Sequence, residues 1–155
     1  MGSPGVRRTT LAGVHQAVTV TSPAYLAHRT APACPEDLRP HDCLRHRLPS
    51  GKLYRWEFSR HGEEMIVDVP AGLTLNDNDL MVQAAVDGLG VAYVPQSFAQ
   101  RELESGRLVL ALEDWCPSIP GLAIYYSGVR HVLSTLRAFS DPLKSLNAYI
   151  FRRTA

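Results

Sequence analysis

The sequence predicts an α/β domain with an antiparallel hairpin near its middle. Apolar segments rich in β-branched residues alternate with segments of helical periodicity along most of the 155 residues, and that alternation is typical of a sheet covered by helices. Residues 52–59 and 64–70 each alternate between polar and apolar positions, with Gly62 between them, as two strands joined by a tight turn do. The chain shows no internal repeat and no low-complexity segment.

Local start and stop signals place the elements along the chain. Residues 1–16 begin with small, polar and basic side chains and are expected to be partly disordered. Ser22 and Ser97 are the expected N-caps of two helices, and Pro142 is expected to kink the last helix or to begin a second one. Strands are predicted over residues 17–21, 42–48, 52–59, 64–70, 73–75, 91–94, 107–112 and 121–128. Helices or helical turns are predicted over residues 22–29, 35–38, 79–87, 97–104 and 131–150.

Composition and charge argue against several classes of protein. The formal net charge is +1 and the basic runs are two arginine pairs, at 7–8 and 152–153, so the chain lacks the basic face that neutralises DNA phosphates. Its three cysteines have no CxxC spacing, which argues against a disulfide framework and a zinc site. The N-terminus has no continuous apolar region, and no apolar run approaches the roughly 18 residues that span a bilayer. We therefore expect a cytoplasmic protein without a membrane partner.

The catalytic motifs of common enzymes are missing. There is no GxSxG elbow, and Glu63 and Glu64 are adjacent, so in a strand they point to opposite faces. His41 and Cys43 would share one face of a strand, but two ligands make a weak metal site. We predict that the chain is not an enzyme and that it holds no metal and no cofactor.

The segment Gly88-Leu89-Gly90 contains two of the glycines of a phosphate-binding loop but occupies the wrong place for one. A dinucleotide-binding loop follows a strand and opens a helix, whereas these glycines follow a predicted helix and lead into a strand. Tyr93 stands at the position of the third glycine. Because glycine is favoured just after a helix C-terminus, we interpret the segment as a helix-to-strand corner.

Two features point to a small-molecule site, each with a simpler alternative. Asn76 and Asp77 lie between a strand and the start of a helix, where free N–H groups and the carboxyl end of a sheet attract ligands; alternatively, they only cap that helix. Tyr54, Trp56 and Phe58 would share one face of a strand. Such a stripe either belongs to the core or lines a ligand cleft, where aromatic walls are common.

Placed together, these segments resemble the C-terminal effector (substrate)-binding domain of LysR-type transcriptional regulators. Their order and spacing cover roughly residues 7–145, and six segments in the family's order make the resemblance specific although no single motif decides it. The segments are VTVTSPAYLAHR, EDLRPHDCLRHRL, YRWEF, LTLNDNDLMVQAAVDGLGVAYVPQSF, LESGRLVLALEDW and IPGLAIYYSGVRHVLSTLRAF.

The resemblance implies a type 2 periplasmic-binding-protein-like fold, in which two α/β subdomains enclose a cleft. Residues 17–120 would form subdomain two, and residues 121–150 would supply the returning strand and last helix of subdomain one. The winged helix-turn-helix of the family and the first part of subdomain one have no counterpart in the sequence. We therefore expect an N-terminally truncated fragment without a DNA-binding domain.

The resemblance also implies partners and site residues. The expected partner is a small-molecule effector, of the carboxylate or aromatic acid class. DNA would be contacted only through the missing helix-turn-helix, and full-length members are homo-oligomers. By position, the effector-binding residues would be Tyr54, Trp56, Asn76 and Asp77. The dimer contact would involve Leu80, Met81, Ala84 and Tyr93.

The leading hypothesis is a ligand-sensing fragment of a LysR-type regulator, in which the effector shifts a population of conformations and so modulates transcription. The alternative is a stand-alone small-molecule binding module related to solute-binding proteins, without a DNA role. That alternative requires a signal peptide and a complete two-lobed cleft, and the sequence shows neither.

Overall fold

The structure of the chain, a computed structural model, describes residues 6–10, 15–70, 72–119, 123–127, 138 and 141–142. Most of the predicted helix over residues 131–150 lies outside this part of the chain, so its kink at Pro142 stays a prediction. The chain forms two compact units, residues 1–14 with 120–155 and residues 15–119. Their assignment to the two subdomains of the family's fold also stays a prediction.

In the smaller unit, a two-stranded sheet joins the beginning of the chain to its last described strand. Strand β1 (Val6–Thr10) pairs antiparallel with strand β10 (Ala123–Ser127), with Val6 opposite Ser127 and Thr10 opposite Ala123. Strand β1 lies within residues 1–16, where partial disorder was expected, and that expectation stays a prediction for the rest of the segment. A polar segment becomes ordered here because its backbone N–H and C=O groups find partners in a distant strand.

The described residues of the larger unit form eight strands and three α-helices, and seven of the strands and all three helices occur in the predicted order. The strands are β2 (His15–Thr21), β3 (Cys43–His46), β4 (Trp56–Arg60), β5 (Glu63–Val67), β6 (Leu73–Leu75), β7 (Val91–Pro95), β8 (Val109–Ala111) and β9 (Ser118–Ile119). The α-helices are α1 (Pro23–Leu26), α2 (Asn78–Val86) and α3 (Gln96–Glu104), and short 3₁₀ helices occupy Pro35–Leu38 and Glu113–Trp115. Strand β9 and the second 3₁₀ helix were not predicted.

Six of these strands form one mixed sheet. Its order is β6-β3-β7-β2-β8, and β9 pairs with β2 outside this path. Strand β3 runs parallel to β6 and β7, whereas β2 runs antiparallel to β7, β8 and β9. The carboxyl ends of the three parallel strands therefore lie at one edge of the sheet, which is the edge where open α/β sheets bind ligands.

The sheet is buried on both faces. Val91 and Tyr93 of strand β7 point into one hydrophobic cluster, and Ala92 and Val94 point into another, as the period of two along a strand requires. The first cluster contains side chains from α1, the first 3₁₀ helix and the β4–β5 hairpin, whereas the second contains side chains from α2 and α3. The unit thus has three layers, with the sheet in the middle.

Strands β4 and β5 form the predicted hairpin, separate from the main sheet. Trp56 pairs with Val67 at one end, and Arg60 pairs with Glu63 at the other. The two turn residues, His61 and Gly62, have φ angles of 51° and 82°. Positive φ at both positions is the geometry of the tight turns that match the twist of paired strands.

Helix α2 (Asn78–Val86) begins and ends one residue before the predicted range of 79–87, whereas α3 does not begin at the predicted cap. The Asp77 carboxylate accepts the Leu80 N–H at 3.0 Å, and Gly88 follows the helix with a φ angle of 78°. Ser97 was expected to cap α3, but it lies inside the first turn, and Pro95 occupies the N-cap position without a side-chain bond. The reason is that strand β7 runs directly into α3 and leaves no loop residue for a cap.

The segment Gly88-Leu89-Gly90 is a corner between α2 and β7. A Cβ atom added at Gly90 would lie 2.2 Å from the Asp42 carbonyl oxygen, a distance that no real side chain tolerates. The Val91 N–H donates to the same Asp42 oxygen at 2.8 Å, and the Thr21 hydroxyl donates to the Gly90 carbonyl at 3.1 Å. Glycine is therefore needed because two backbone segments approach each other closely.

Candidate functional site

A cavity of about 120 Å³ lies within the larger unit at the carboxyl edge of the parallel strands. The end of β3, the end of β7, the beginning of β2, the beginning of α2 and the loop after β3 all contribute to its wall. The lining residues are Ala17, His46, Leu48, Tyr54, Asn78, Tyr93, Val94 and Pro95. Five separate segments thus converge on one small space, which is the usual construction of a ligand site.

The loop after β3 folds back and brings Tyr54 to the cavity. The Tyr54 N–H donates to the His46 carbonyl at 2.7 Å, and the Leu48 N–H donates to the Lys52 carbonyl at 2.8 Å. The rings of His46 and Tyr54 lie 6.3 Å apart between centroids. These backbone bonds hold three of the lining side chains in a fixed arrangement.

Tyr93 connects the cavity to the hydrophobic core. Its ring lies 6.2 Å from that of Tyr54 and stacks on Trp56 with a centroid distance of 5.4 Å and an interplanar angle of 23°. Its hydroxyl donates to the Glu57 carbonyl oxygen at 2.5 Å. A molecule in the cavity would therefore contact a ring that is bonded to strand β4 of the hairpin.

Both tyrosines of the cavity are neutral at physiological pH, and burial makes their ionisation still less favourable. Desolvation raises the pKa of Tyr54, and the nearby Glu57 carboxylate raises it further. The pKa of Tyr93 is raised well above its ordinary value, mainly by desolvation and also by Tyr54. Two neutral phenol groups with hydroxyl protons therefore face or adjoin the cavity at physiological pH.

The four residues predicted to bind an effector occupy different environments. Tyr54 lines the cavity, whereas Trp56 is 1% exposed and packs in the core behind Tyr93. Asn76 is exposed, and Asp77 is exposed and caps α2. The structure thus brings Tyr54 to the cavity, and the core position of Trp56 and the capping role of Asp77 fit the simpler alternatives considered for them.

The predicted dimer-contact residues also occupy different environments. Met81, Ala84 and Tyr93 are buried within this chain, at 0%, 7% and 3% exposure. Leu80 is 54% exposed and is free to meet a second chain. The dimer contact itself stays a prediction, and Leu80 is the member of the predicted set best placed to make one.

Sequence reasoning missed most of the cavity wall. His46 ends strand β3, Asn78 begins helix α2, and Tyr93 lies near the end of β7. A usable signal was present, because residues at the carboxyl ends of parallel strands and at the following helix start converge at one sheet edge. Using it required knowing that β3 and β7 are parallel neighbours, which the local pattern does not reveal.

A second polar cluster lies away from the cavity, around His41. The Asp42 N–H donates to the Tyr25 hydroxyl at 2.9 Å, and that hydroxyl lies 3.2 Å from Nδ1 of His41. Arg29 binds the Asp42 carboxylate at 2.8 Å and lies over the Tyr25 ring. The Tyr25 hydroxyl therefore links the Asp42 backbone to the His41 ring.

The residues weighed as metal ligands bond to other groups. The Cys43 thiol lies 3.7 Å from the carbonyl oxygens of Leu38 and His41, and burial raises its pKa to about 12. A thiol with this pKa stays protonated and is a poor ligand and a poor nucleophile.

None of the helices in the described part of the chain has the length and apolarity that crossing a bilayer requires.

The comparisons with known proteins agree with this architecture. The model of the LysR substrate binding domain matches residues 3–147. A putative transcriptional regulator of Pseudomonas aeruginosa is 37% identical over 126 residues, which cover 81% of this chain and 41% of the relative. The HTH-type transcriptional regulator PgrR of Escherichia coli is 36% identical over 126 residues, which cover 81% of this chain and 42% of the relative.

The structural comparison gives the same fold. The regulatory domain of CrgA, a LysR-type transcriptional regulator from Neisseria meningitidis, matches with a TM-score of 0.72 and 23% identity, over 94% of this chain and 70% of that domain. The chain therefore belongs to the LysR substrate-binding domain family, as the resemblance implied, and has the periplasmic-binding-protein-like fold of that family. It spans about two fifths of the length of the curated relatives named above.

Proposed function

We propose that this chain senses a small-molecule effector for a transcriptional regulator and that the cavity beside Tyr54 receives the effector. The cavity carries the proposal, because it lies at the carboxyl edge of the parallel strands and is lined from five segments. Family membership supports the regulatory role. The stand-alone solute-binding alternative is not favoured, because the relatives are transcriptional regulators.

The proposed mechanism is a shift between conformations of the regulator. An effector that binds one conformation better than another stabilises it by the difference in binding free energy. Tyr93 offers a first step for such coupling, because it lines the cavity and bonds to the hairpin through the Glu57 carbonyl. Contact with DNA would be made by a helix-turn-helix carried elsewhere in the complete regulator, which would act as a homo-oligomer with Leu80 near a contact.

The role proposed here is binding without catalysis, in the cytoplasm, where a regulator meets DNA. The sequence suggested a carboxylate or an aromatic acid as the effector. The aromatic part of that expectation is supported by the rings of His46, Tyr54 and Tyr93 around the cavity. The carboxylate part has less support, because Asp77 and Asp79 place negative charge beside the N–H groups at the start of α2 that would attract it.

Fluorescence of Trp56 tests the proposal, since its ring stacks on the cavity residue Tyr93. The purified Trp115→Phe chain is titrated with a panel of small aromatic and carboxylate compounds, and emission and melting temperature are recorded. A true effector changes the emission and raises the melting temperature by mass action. Loss of both responses in Tyr54→Ala, with the responses kept in the exposed-residue control Phe98→Ala, places the binding at the cavity.

Two results would contradict the proposal. A folded chain that shows no response to any compound in a broad panel has no functional effector site. A response that is unchanged in Tyr54→Ala comes from another part of the molecule.

A further inference from the structure

We infer that the cavity selects an uncharged, ring-sized group that carries a hydrogen-bond donor and discriminates against a carboxylate. The inference rests on the proposed function and names the class of effector that the same site takes. The size of the cavity, the charge around it and one amide side chain each contribute to the argument.

The volume sets the size of the group. The cavity measures about 120 Å³, and an engineered protein cavity of about 150 Å³ is large enough for benzene. A cavity of this volume can enclose one six-membered ring or a group of similar size, and the rest of a larger ligand would extend beyond it. The ring faces of Tyr54 and Tyr93 and the aliphatic side chains of Leu48 and Val94 match the apolar surface of such a group.

The charge around the cavity disfavours an anion. No Lys or Arg, and no Asp or Glu, is among its lining residues in the described part of the chain. The Glu57 carboxylate acts on both cavity tyrosines, and burial and that charge together raise the pKa of Tyr54. An environment that opposes ionisation of its own phenols also opposes a bound carboxylate, because both lose hydration and meet the same negative charge.

The start of α2 does not restore anion binding. Its first N–H groups would attract a carboxylate, but the Asp77 carboxylate already accepts the Leu80 N–H at 3.0 Å. Asp79 adds a second negative charge in the first turn. The positive end of the helix dipole is therefore balanced by side chains of the chain itself.

Asn78 supplies the preference for a donor. It lines the cavity, and its side-chain oxygen is enclosed without a hydrogen-bond partner among the described residues. Enclosed amide oxygens in native proteins are nearly always bonded. In the proposed complex the Asn78 amide rotates so that this oxygen accepts from an N–H or O–H group on the bound ring. A ligand with a donor is thus favoured over a ring without one.

A matched pair of probes tests the inference. Benzamide and benzoate have the same ring and nearly the same shape, but only benzamide is uncharged and carries N–H donors. Each is titrated into the full chain by calorimetry or ligand-observed NMR at about pH 7.5, where benzoate is ionised. We expect benzamide to bind at least about tenfold more tightly, because benzoate loses its hydration and finds no Lys or Arg among the described lining residues.

Two amide variants test the donor contact. Asn78→Leu keeps the size of the side chain but removes the acceptor, and it should weaken benzamide binding about three- to tenfold, as the loss of one hydrogen bond does. Gln83→Leu changes an exposed amide further along α2, outside the cavity wall, and should leave the affinity unchanged. If both variants bind benzamide as tightly as the parent chain does, the Asn78 oxygen does not accept a hydrogen bond from the ligand and this part of the inference is wrong.

The outcomes separate this inference from the proposed function. If benzoate binds as tightly as benzamide or more tightly, the inferred preference for an uncharged group is wrong, but the proposed effector site is still supported. If neither probe binds but other compounds of the panel act through Tyr54, the inferred class of ligand is wrong, and the proposed effector site at the cavity is still supported. If no compound of any class binds, the proposed function fails as well.

Discussion

At the scale of single residues, Tyr93 links the cavity to the hydrophobic core of the larger unit. Tyr93 was expected at a dimer contact, but its side chain lies inside the chain, where it forms part of the cavity wall and packs on Trp56. The sequence VAYV predicts a strand buried on both faces, and this is correct. The sequence does not say which element covers which face of the strand. The hairpin that packs on Tyr93 is distant from β7 in sequence, and only the folded structure brings the two together.

The hydroxyl of Tyr93 provides a test at this scale. Tyr93→Phe removes the bond to the Glu57 carbonyl and should lower the free energy of unfolding by about 1 kcal/mol. Tyr54→Phe removes a hydroxyl that has no hydrogen-bond partner among the described residues, and it should change stability by less than about 0.5 kcal/mol. Urea denaturation of the two variants and the parent chain measures the difference. Equal effects would mean that the Tyr93 bond contributes no stability.

The lowered pKa of His41 should make the free energy of unfolding depend on pH. Burial lowers the pKa of His41, and the nearby Arg29 lowers it further, while Asp37 and Asp42 act in the opposite direction and the Tyr25 hydroxyl faces its ring. In the unfolded chain its pKa returns to about 6.5. As the pH falls through that value, the unfolded state binds a proton that the folded state does not, so the free energy of unfolding decreases.

Two histidine variants isolate this effect. The loss of stability between about pH 7.5 and pH 5.5 should be smaller in His41→Gln than in the parent chain. His28→Gln replaces an exposed histidine and should keep the parent slope. Asp37 has a lowered pKa, so it affects the free energy of unfolding only near and below the ordinary carboxyl range. It therefore does not contribute to the slope between about pH 7.5 and pH 5.5. A His41 variant with the parent slope would show that this residue is not the cause.

At the level of elements, local signals predicted most of the fold, and long-range pairing accounts for most of the errors. The cap at Asp77, the glycine at position 88 and the turn before strand β5 all depend on neighbouring residues, and all three were predicted. Strand β1 was missed because its partner is β10, at the other end of the chain. Five of the eight residues around the cavity in the described part of the chain belong to strands that only the sheet order brings together, namely Ala17, His46, Tyr93, Val94 and Pro95.

The N-cap of α2 is the element that positions Asn78. Asp77→Ala removes the acceptor of the Leu80 N–H and should lower the free energy of unfolding by about 1 kcal/mol, within a range of about 0.5 to 2 kcal/mol. Asp79→Ala removes a carboxylate from the same turn without removing the cap, and should cost less. Chemical denaturation compares the two variants. A larger loss in the Asp79 variant would mean that the helix dipole matters more here than the cap.

At the level of the whole molecule, the two compact units differ in how much core they contain within the described residues. Both hydrophobic clusters consist of side chains from residues 15–119, one on each face of the main sheet. The cavity wall lies in the same unit. A unit of this size is within the range in which protein domains fold alone.

A shortened chain tests this independence. Residues 15–119, produced alone, should unfold in one cooperative thermal transition and keep the response of Trp56 to any compound that binds the full chain. Near-ultraviolet circular dichroism during heating shows whether the aromatic side chains are packed. A broad, non-cooperative transition would mean that the larger unit depends on the remainder of the chain.

The contact between Gly90 and the Asp42 carbonyl has a genetic consequence. Every amino acid that replaces glycine through a single base change carries a Cβ atom, and at position 90 that atom would lie 2.2 Å from a backbone oxygen. At Gly51 and Gly106 the same atom meets nothing within 4 Å, and only the cost of a positive φ remains, about 1 kcal/mol. A screen of random missense changes for loss of effector response should therefore recover codon 90 repeatedly and codons 51 and 106 rarely.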